Sequence, residues 1–267
     1  MKTIELAPRL MKIAYDDVGT GLPIVLLHAF PLDRSMWAPQ VDPISSAGFR
    51  VIALDLPEFG GTSPNKDGFT IDLCADMVAS FLEALDISKA VVVGLSMGGY
   101  VAMSIARRHP ERLAGMILAD TRAAPDVPQA RASRDKLIAA VQAKGPVAAI
   151  DAMLSNLFSE QTRATNPAVI ERARQIILRQ STSGIVAGLR ALRDRPDAAP
   201  ELHSVTAPLL VLVGEFDTVT PLLAAARIAG NVRKSDLAHI PGAGHLSNLE
   251  NPEAFNSAVI AFLKQLT

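Results

Sequence analysis

Gly94-Leu95-Ser96-Met97-Gly98 sets a serine between two glycines, after the short β-branched run Ala90-Val91-Val92-Val93 and ahead of a segment with helical spacing. On a sharp strand-to-helix turn the serine backbone is strained, near positive φ, and its hydroxyl stands clear of the sheet. The neighbouring chain then comes too close for side chains, which glycine at 94 and 98, with Gly99 beyond, accommodates. Such a hydroxyl is a candidate nucleophile for acyl transfer. The plainer reading, an N-cap serine on a glycine-rich turn, is outweighed by the strand before it and the helix after it.

A serine hydroxyl is a weak nucleophile and needs a base. Of the five histidines, His245 lies in Pro241-Gly242-Ala243-Gly244-His245, a flexible turn after an apolar strand ending at Ile240. Such a loop can reach across a sheet's carboxyl edge. His239 lies inside that strand and is expected to be packed. His109 ends a helix, where its positive form would meet the helix dipole, and His203 has no supporting motif. A third group must hold the imidazole's tautomer and stabilise its charge. Asp217 follows the Leu209–Val213 run and precedes His245 by 28 residues. Asp120 also ends a strand and is its rival, Glu215 a weaker one, and each also reads as a capping or turn carboxylate. Asp217 is favoured. A tetrahedral oxyanion needs two preorganised N–H donors. Met97, directly after the serine, offers one, and Phe30, in the loop His28-Ala29-Phe30-Pro31-Leu32, offers the other. His28 is expected to hold that loop in place.

These residues need a scaffold. Ile24–His28, Arg50–Leu54, Ala90–Gly94, Gly115–Ala119 and Pro208–Val213 are continuous apolar runs, as suits strands buried on both faces of a parallel sheet. Leu10–Tyr15 alternates more and reads as an antiparallel edge strand. Cys74, Met77, Val78, Phe81, Leu82 and Leu85 form one apolar helical stripe, with Thr70 as N-cap and Asp72 in the first turn. A second helix carries Tyr100, Met103 and Ile105 and should stop at His109, before Pro110. Strands alternating with helices imply an α/β sheet with helices on both faces. From Thr121 to Pro200 that rhythm breaks: helical patterns, six prolines and no convincing strand. This stretch has 12 Lys+Arg against 7 Asp+Glu, a net of +5, while the rest of the chain carries −6. It reads as a helical insertion, dividing the chain into core (1–120), cap (121–200) and core (201–267).

The chain resembles a serine-type α/β-hydrolase along nearly its whole length. The resemblance rests on His28-Ala29-Phe30, Asp55-Leu56-Pro57-Glu58-Phe59-Gly60, Gly94–Gly99, Asp217 and Gly244-His245, all in family order. It implies an eight-stranded, mostly parallel sheet with Thr121–Pro200 as helical cap. Within the family the chain is similar to 3-oxoadipate enol-lactonases, small carboxylesterases and cofactor-free haloperoxidase/perhydrolases. The family writes its oxyanion loop as H-G-x. Here Ala29 takes the second place, and because alanine disfavours positive φ a slightly different loop shape is expected. Epoxide hydrolases and haloalkane dehalogenases carry aspartate where Ser96 stands.

The expected activity is hydrolysis of a carboxylic ester or lactone of a small molecule. Two alternatives keep the same residues: acyl transfer to peroxide, and cleavage of a carbon–carbon bond beside a ketone. A third is a ligand receptor on a hydrolase scaffold. Phe30, Trp37, Met97, Leu154 and Phe158 are candidates to line the pocket, though at helical spacing such residues also read as core. The basic insertion invites a substrate carboxylate or an acidic carrier protein, against the plainer reading of a solvated basic face. Arg122, just past Asp120, is the candidate anion-binding arginine.

Composition excludes several other classes. In 267 residues, 49% hydrophobic and 20% charged content is not that of a disordered chain. A net charge of −1 suits no nucleic-acid binder. The single cysteine, Cys74, closes no internal disulfide and builds no cysteine zinc site. No apolar run reaches the roughly 18 residues of a membrane span, and Met1–Leu10 lacks a signal-peptide core. With no H-E-x-x-H, Walker loop or dinucleotide fingerprint, no metal or organic cofactor is expected. A cytoplasmic protein is expected, with oligomeric state open.

Overall fold

The computed structural model describes residues 1–6 and 11–267. Among these, eight strands form one sheet: β1 (Lys2–Leu6), β2 (Met11–Val18), β3 (Pro23–Leu27), β4 (Arg50–Leu54), β5 (Ala90–Leu95), β6 (Leu113–Ala119), β7 (Leu209–Gly214) and β8 (Ser235–Ile240). Their order is β1-β2-β4-β3-β5-β6-β7-β8. β2 runs antiparallel to both β1 and β4, and every other neighbouring pair is parallel. β5 and β7 are buried at every position, as are β3, β4 and β6 at nearly every one, which explains their unbroken apolar runs.

The edges differ from expectation. β2 is antiparallel, but β1 pairs along its outer side and is itself the edge. β1 gives little signal because Lys2, Thr3 and Glu5 face solvent. Leu10, placed in the strand by the sequence, lies outside the described residues. At the opposite edge β8 has a neighbour on one side only. His239, expected to be packed, is exposed there along with Asp236 and Leu237.

Three helices precede β6 in the chain: α1 (Ala38–Ser46), α2 (Ile71–Ala84) and α3 (Met97–Arg108). The Thr70 hydroxyl caps α2 by accepting from Leu73 N–H at 3.1 Å, and the Cys74–Leu82 stripe is buried. α3 ends before Pro110 with His109 as its C-cap, and that imidazole hydrogen-bonds Asp76 of α2 at 2.8 Å. α2 packs on α3, which lies against β3, β5 and β6. Between β6 and β7 come only helices and turns: α4 (Pro128–Lys144), α5 (Pro146–Met153), α6 (Glu160–Thr165), α7 (Pro167–Leu178) and α8 (Thr182–Asp194). α4 packs on α5 and α8, and α5 on α7. α9 (Leu222–Ala229), α10 (Ser247–Glu250) and α11 (Pro252–Leu263) complete the chain, α11 packing on α1. No helix of the described residues is long and apolar enough to cross a membrane.

The parallel strands all end on one edge, so the loops after Leu27, Leu54, Leu95, Ala119, Gly214 and Ile240 gather there. An open α/β sheet places its ligands at that edge.

Candidate active site

Ser96 is the hinge between β5 and α3. Its φ is 53° and ψ −108°, a strained conformation for a residue with a side chain. Two glycines make the turn sterically feasible. A Cβ on Gly94 would lie 2.2 Å from Gly98 O, and one on Gly98 only 2.1 Å from Leu27 O. The turn is also tied to β6: Ser96 N–H donates to Ala119 O at 2.9 Å, and the Thr121 hydroxyl donates to Ser96 O at 2.9 Å.

His245 reaches this hydroxyl from the loop after β8. Its Nε2 lies 2.9 Å from Ser96 Oγ and its Nδ1 2.9 Å from Asp217 Oδ2. An ionised carboxylate only accepts, so Nδ1 carries the proton and Nε2 is free to accept from the serine hydroxyl. His245 and Asp217 are both buried. Asp217 is further held by the N–H groups of Val219 and Thr220, at 2.8 and 3.0 Å, and by the Thr220 hydroxyl at 2.5 Å. Burial alone would raise its pKa. The charge and hydrogen bond of His245, together with the Thr220 donors, overcome that and lower it to about 2. Thr220 was not singled out in the sequence. Its signal is the spacing Asp217-x-x-Thr220, a side-chain turn that closes on itself.

The two rival acids sit elsewhere. Asp120 is fully buried, accepts from Gly214 N–H at 2.8 Å and from the Ser247 hydroxyl, and makes no bond to His245. Burial, and then the nearby Asp217 charge, push its pKa well above the usual carboxylate range. Glu215 is exposed and accepts from Gly242 N–H at 2.9 Å, a turn carboxylate.

His28 holds its loop as expected. Leu56 N–H donates to Nε2 at 3.0 Å, so the ring proton is on Nδ1 and donates to Ala29 O at 3.0 Å. Burial lowers its pKa and favours that neutral form. Ala29 is not among the residues with positive φ, so alanine causes no strain in this loop. Neither Phe30 N–H nor Met97 N–H donates to another described residue. Met97 is the first residue of α3, where a helix leaves its N–H groups unsatisfied and its dipole positive.

A cavity of about 170 Å³ opens over Ser96 and His245. The strand-end loops contribute Phe30, Arg122 and Val219 to its lining, and the helical segment contributes Arg134, Met153, Asn156, Leu157 and Leu192. Four of the expected pocket residues are not part of this lining, the first being Met97, whose side chain is fully buried at the start of α3. Trp37 ends a turn capped by Asp33 and is fully buried, its ring 6.1 Å from that of Phe255 on α11. Leu154 is only partly buried against the core and does not line the cavity. Phe158 lines the neighbouring cleft of about 620 Å³, which also takes in Phe216 and Thr218. For Leu154 and Phe158 the reason is a change of helical phase. α5 ends at Met153, and the chain continues as a 3₁₀ turn over Leu154–Leu157, so 153, 156 and 157 face the cavity. No cluster of three or more His, Cys, Asp or Glu among the described residues is arranged to hold a metal ion.

Residues 23–252 match the family model described as the alpha/beta hydrolase fold. A structure of a thermophilic esterase from Thermogutta terrifontis superimposes with a TM-score of 0.96 at 38% identity, covering 100% of this chain and 99% of that one. The enol-lactonase from Burkholderia xenovorans LB400 superimposes with a TM-score of 0.90 at 27% identity over 98% and 100%. A putative non-heme bromoperoxidase of Mycobacterium tuberculosis, BpoC, is 32% identical over 95% of this chain and 98% of its own. The chain belongs to the α/β-hydrolase family.

Proposed function

We propose that this enzyme is a serine hydrolase that cleaves a carboxylic ester or lactone of a small molecule, with helices α4–α8 as its cap. The unbroken array Ser96 Oγ–His245–Asp217, with both contacts at 2.9 Å and the serine facing a cavity, carries this reading. His245 Nε2 takes the Ser96 proton as the oxygen attacks the carbonyl carbon. The N–H groups of Phe30 and Met97 receive the oxyanion. Collapse of the tetrahedral intermediate breaks the ester bond, and the leaving oxygen takes the proton back from His245. Water, deprotonated by the same nitrogen, then attacks the acyl-enzyme and frees Ser96. Asp217 keeps the imidazole proton on Nδ1 and stabilises the imidazolium.

The cavity volume favours a small acyl group, because pockets for drug-sized ligands run to roughly 300–1,000 Å³. Likeness to an esterase and an enol-lactonase supports ester or lactone chemistry. Likeness to a bromoperoxidase supports one variation, with hydrogen peroxide in place of water releasing a peracid. Covalent trapping tests the mechanism. A fluorophosphonate probe should add one phosphonyl group per chain, located at Ser96 by peptide mass spectrometry and absent from Ser96→Ala. Labelling that persists in Ser96→Ala would overturn the assignment.

A further inference from the structure

Around the cavity, cations outnumber anions. Its lining contains Arg122 and Arg134 and no aspartate or glutamate. Arg134 already has a partner: its Nε donates to Asp126. Asp126 is shared with Arg195, whose NH1 donates to it at 2.7 Å while the guanidinium lies 4.4 Å from the centre of the Tyr100 ring. One carboxylate thus serves two guanidinium groups.

Arg122 has none. Its only hydrogen bond to a described residue runs from NH2 to Val219 O, at 2.6 Å. Its Nε is buried and has no acceptor. Other arginines with shielded partners near these loops are matched to carboxylates: Arg34 to Asp55 and Asp16, Arg179 to Asp33, Arg195 to Asp126. Arg122 as a whole is partly buried; a shielded cation without a counter-ion is costly, and an anion supplied from outside reduces that cost. The guanidinium presents donors in a planar fork that matches a carboxylate.

We infer that Arg122, assisted by Arg134, is the specificity determinant for a substrate carboxylate, so that the preferred substrate is a small ester or lactone bearing a second, ionised carboxyl group. Both ends of that substrate lie in one cavity of about 170 Å³, so only a few carbons separate the carboxylate from the scissile carbonyl. Hydrolysis adds one water across the ester bond and releases a carboxylate beside the one already present.

The inference rests on the serine-hydrolase reading for its kinetic arm and is independent of it in its binding arm. The kinetic arm compares kcat/KM for mono-p-nitrophenyl glutarate with that for p-nitrophenyl butyrate. The wild type should favour the anionic ester. In Arg122→Gln, which keeps an N–H donor toward Val219 O, that ratio should fall roughly ten- to hundredfold, with Arg122→Lys restoring part of it and Arg134→Gln giving a smaller loss. If Arg122 merely braces the Asp217 loop, Arg122→Gln slows both esters by the same factor and the ratio stays put, which overturns the inference. The binding arm measures glutarate binding to Ser96→Ala by calorimetry, with and without Arg122→Gln. Saturable binding abolished by Arg122→Gln supports the subsite even if no ester turns over. Binding that is absent, or indifferent to Arg122→Gln, refutes it.

Discussion

The strand-end loops and the helical segment from α4 to α8 line the same cavity but are held by different forces. At the loops, backbone sterics leave no alternative. Gly98 lies against Leu27 O, Gly94 against Gly98, and Asp217 accepts three hydrogen bonds before it meets His245. Across the cavity, beside Arg134 and Asn156, the contacts are apolar side chains of ordinary kinds, Met153, Leu157 and Leu192, set on helices and a turn that pack mainly on one another. Such contacts tolerate exchange of similar volumes. In the proposed function the loop side therefore sets which bond reacts and, through Arg122, which charge is bound, while the helical side sets the volume that fits.

The sharpest way to break this division is at Asp217. Asp217→Asn keeps the shape of the side chain but no longer enforces the Nδ1–H tautomer of His245, and kcat on any productive ester should fall on the order of 10⁴-fold, with the melting curve showing an intact fold. A loss of tenfold or less would mean that His245 does not depend on Asp217. Next comes Gly98→Ala. Its Cβ would meet Leu27 O, a backbone atom that cannot swing aside, so the cost should be roughly 3 kcal/mol by denaturant titration. A stability like the wild type's would show that the turn yields.

Two neighbouring carboxyls test the electrostatics with opposite signs. Asp217 titrates low in the folded chain, so its stabilisation is complete above about pH 4, where the unfolded side chain is ionised, and is lost as pH falls through about 2. Asp120 titrates high. Above about pH 4 the folded chain keeps a proton that the unfolded chain releases, so its contribution becomes less favourable as pH rises. Asp120→Asn mimics the protonated side chain and can bond both Gly214 and Ser247. Its stability relative to wild type should therefore improve from pH 4 to pH 7. An unchanging difference would mean that Asp120 is ionised in the fold. The smallest effect is expected across the cavity. Met153→Ala should enlarge the cavity and move the ester chain-length optimum upward, at a stability cost below the 2–5 kcal/mol typical of fully buried methionine. An unchanged optimum would take the helices out of substrate selection.

The same division explains what could be read in the amino-acid sequence. Ser96 and its glycines are adjacent in the chain, and their sterics are local, so spacing alone exposes them. His245 and Asp217 lie on strand-end loops, which the apolar runs locate. The sequence favours Asp217 but leaves Asp120 as a rival because both follow a strand. Only the three-dimensional turn after β6, with Asp120 at φ 45°, directs that carboxyl to Gly214 and Ser247 instead of His245. The helical segment was legible as helix but not as a surface. Leu154 and Phe158 have suitable side chains, yet the switch to a 3₁₀ turn after Met153 rotates their neighbours into the cavity. Trp37 has the size of a pocket residue, but its turn carries it to α11. Strand β1 and exposed His239 mark the sheet's two edges, where one-sided pairing leaves little apolar pattern to read.

Whether Ser96 is the nucleophile of an esterase is decided by hydrolysis rates on p-nitrophenyl esters from acetate to decanoate, with Ser96→Ala beside the wild type. Steady multiple turnover is expected, with an optimum at short acyl chains and a reduction of 10⁴-fold or more in Ser96→Ala. Turnover retained in Ser96→Ala, or a wild type that stops after one equivalent, would contradict that role.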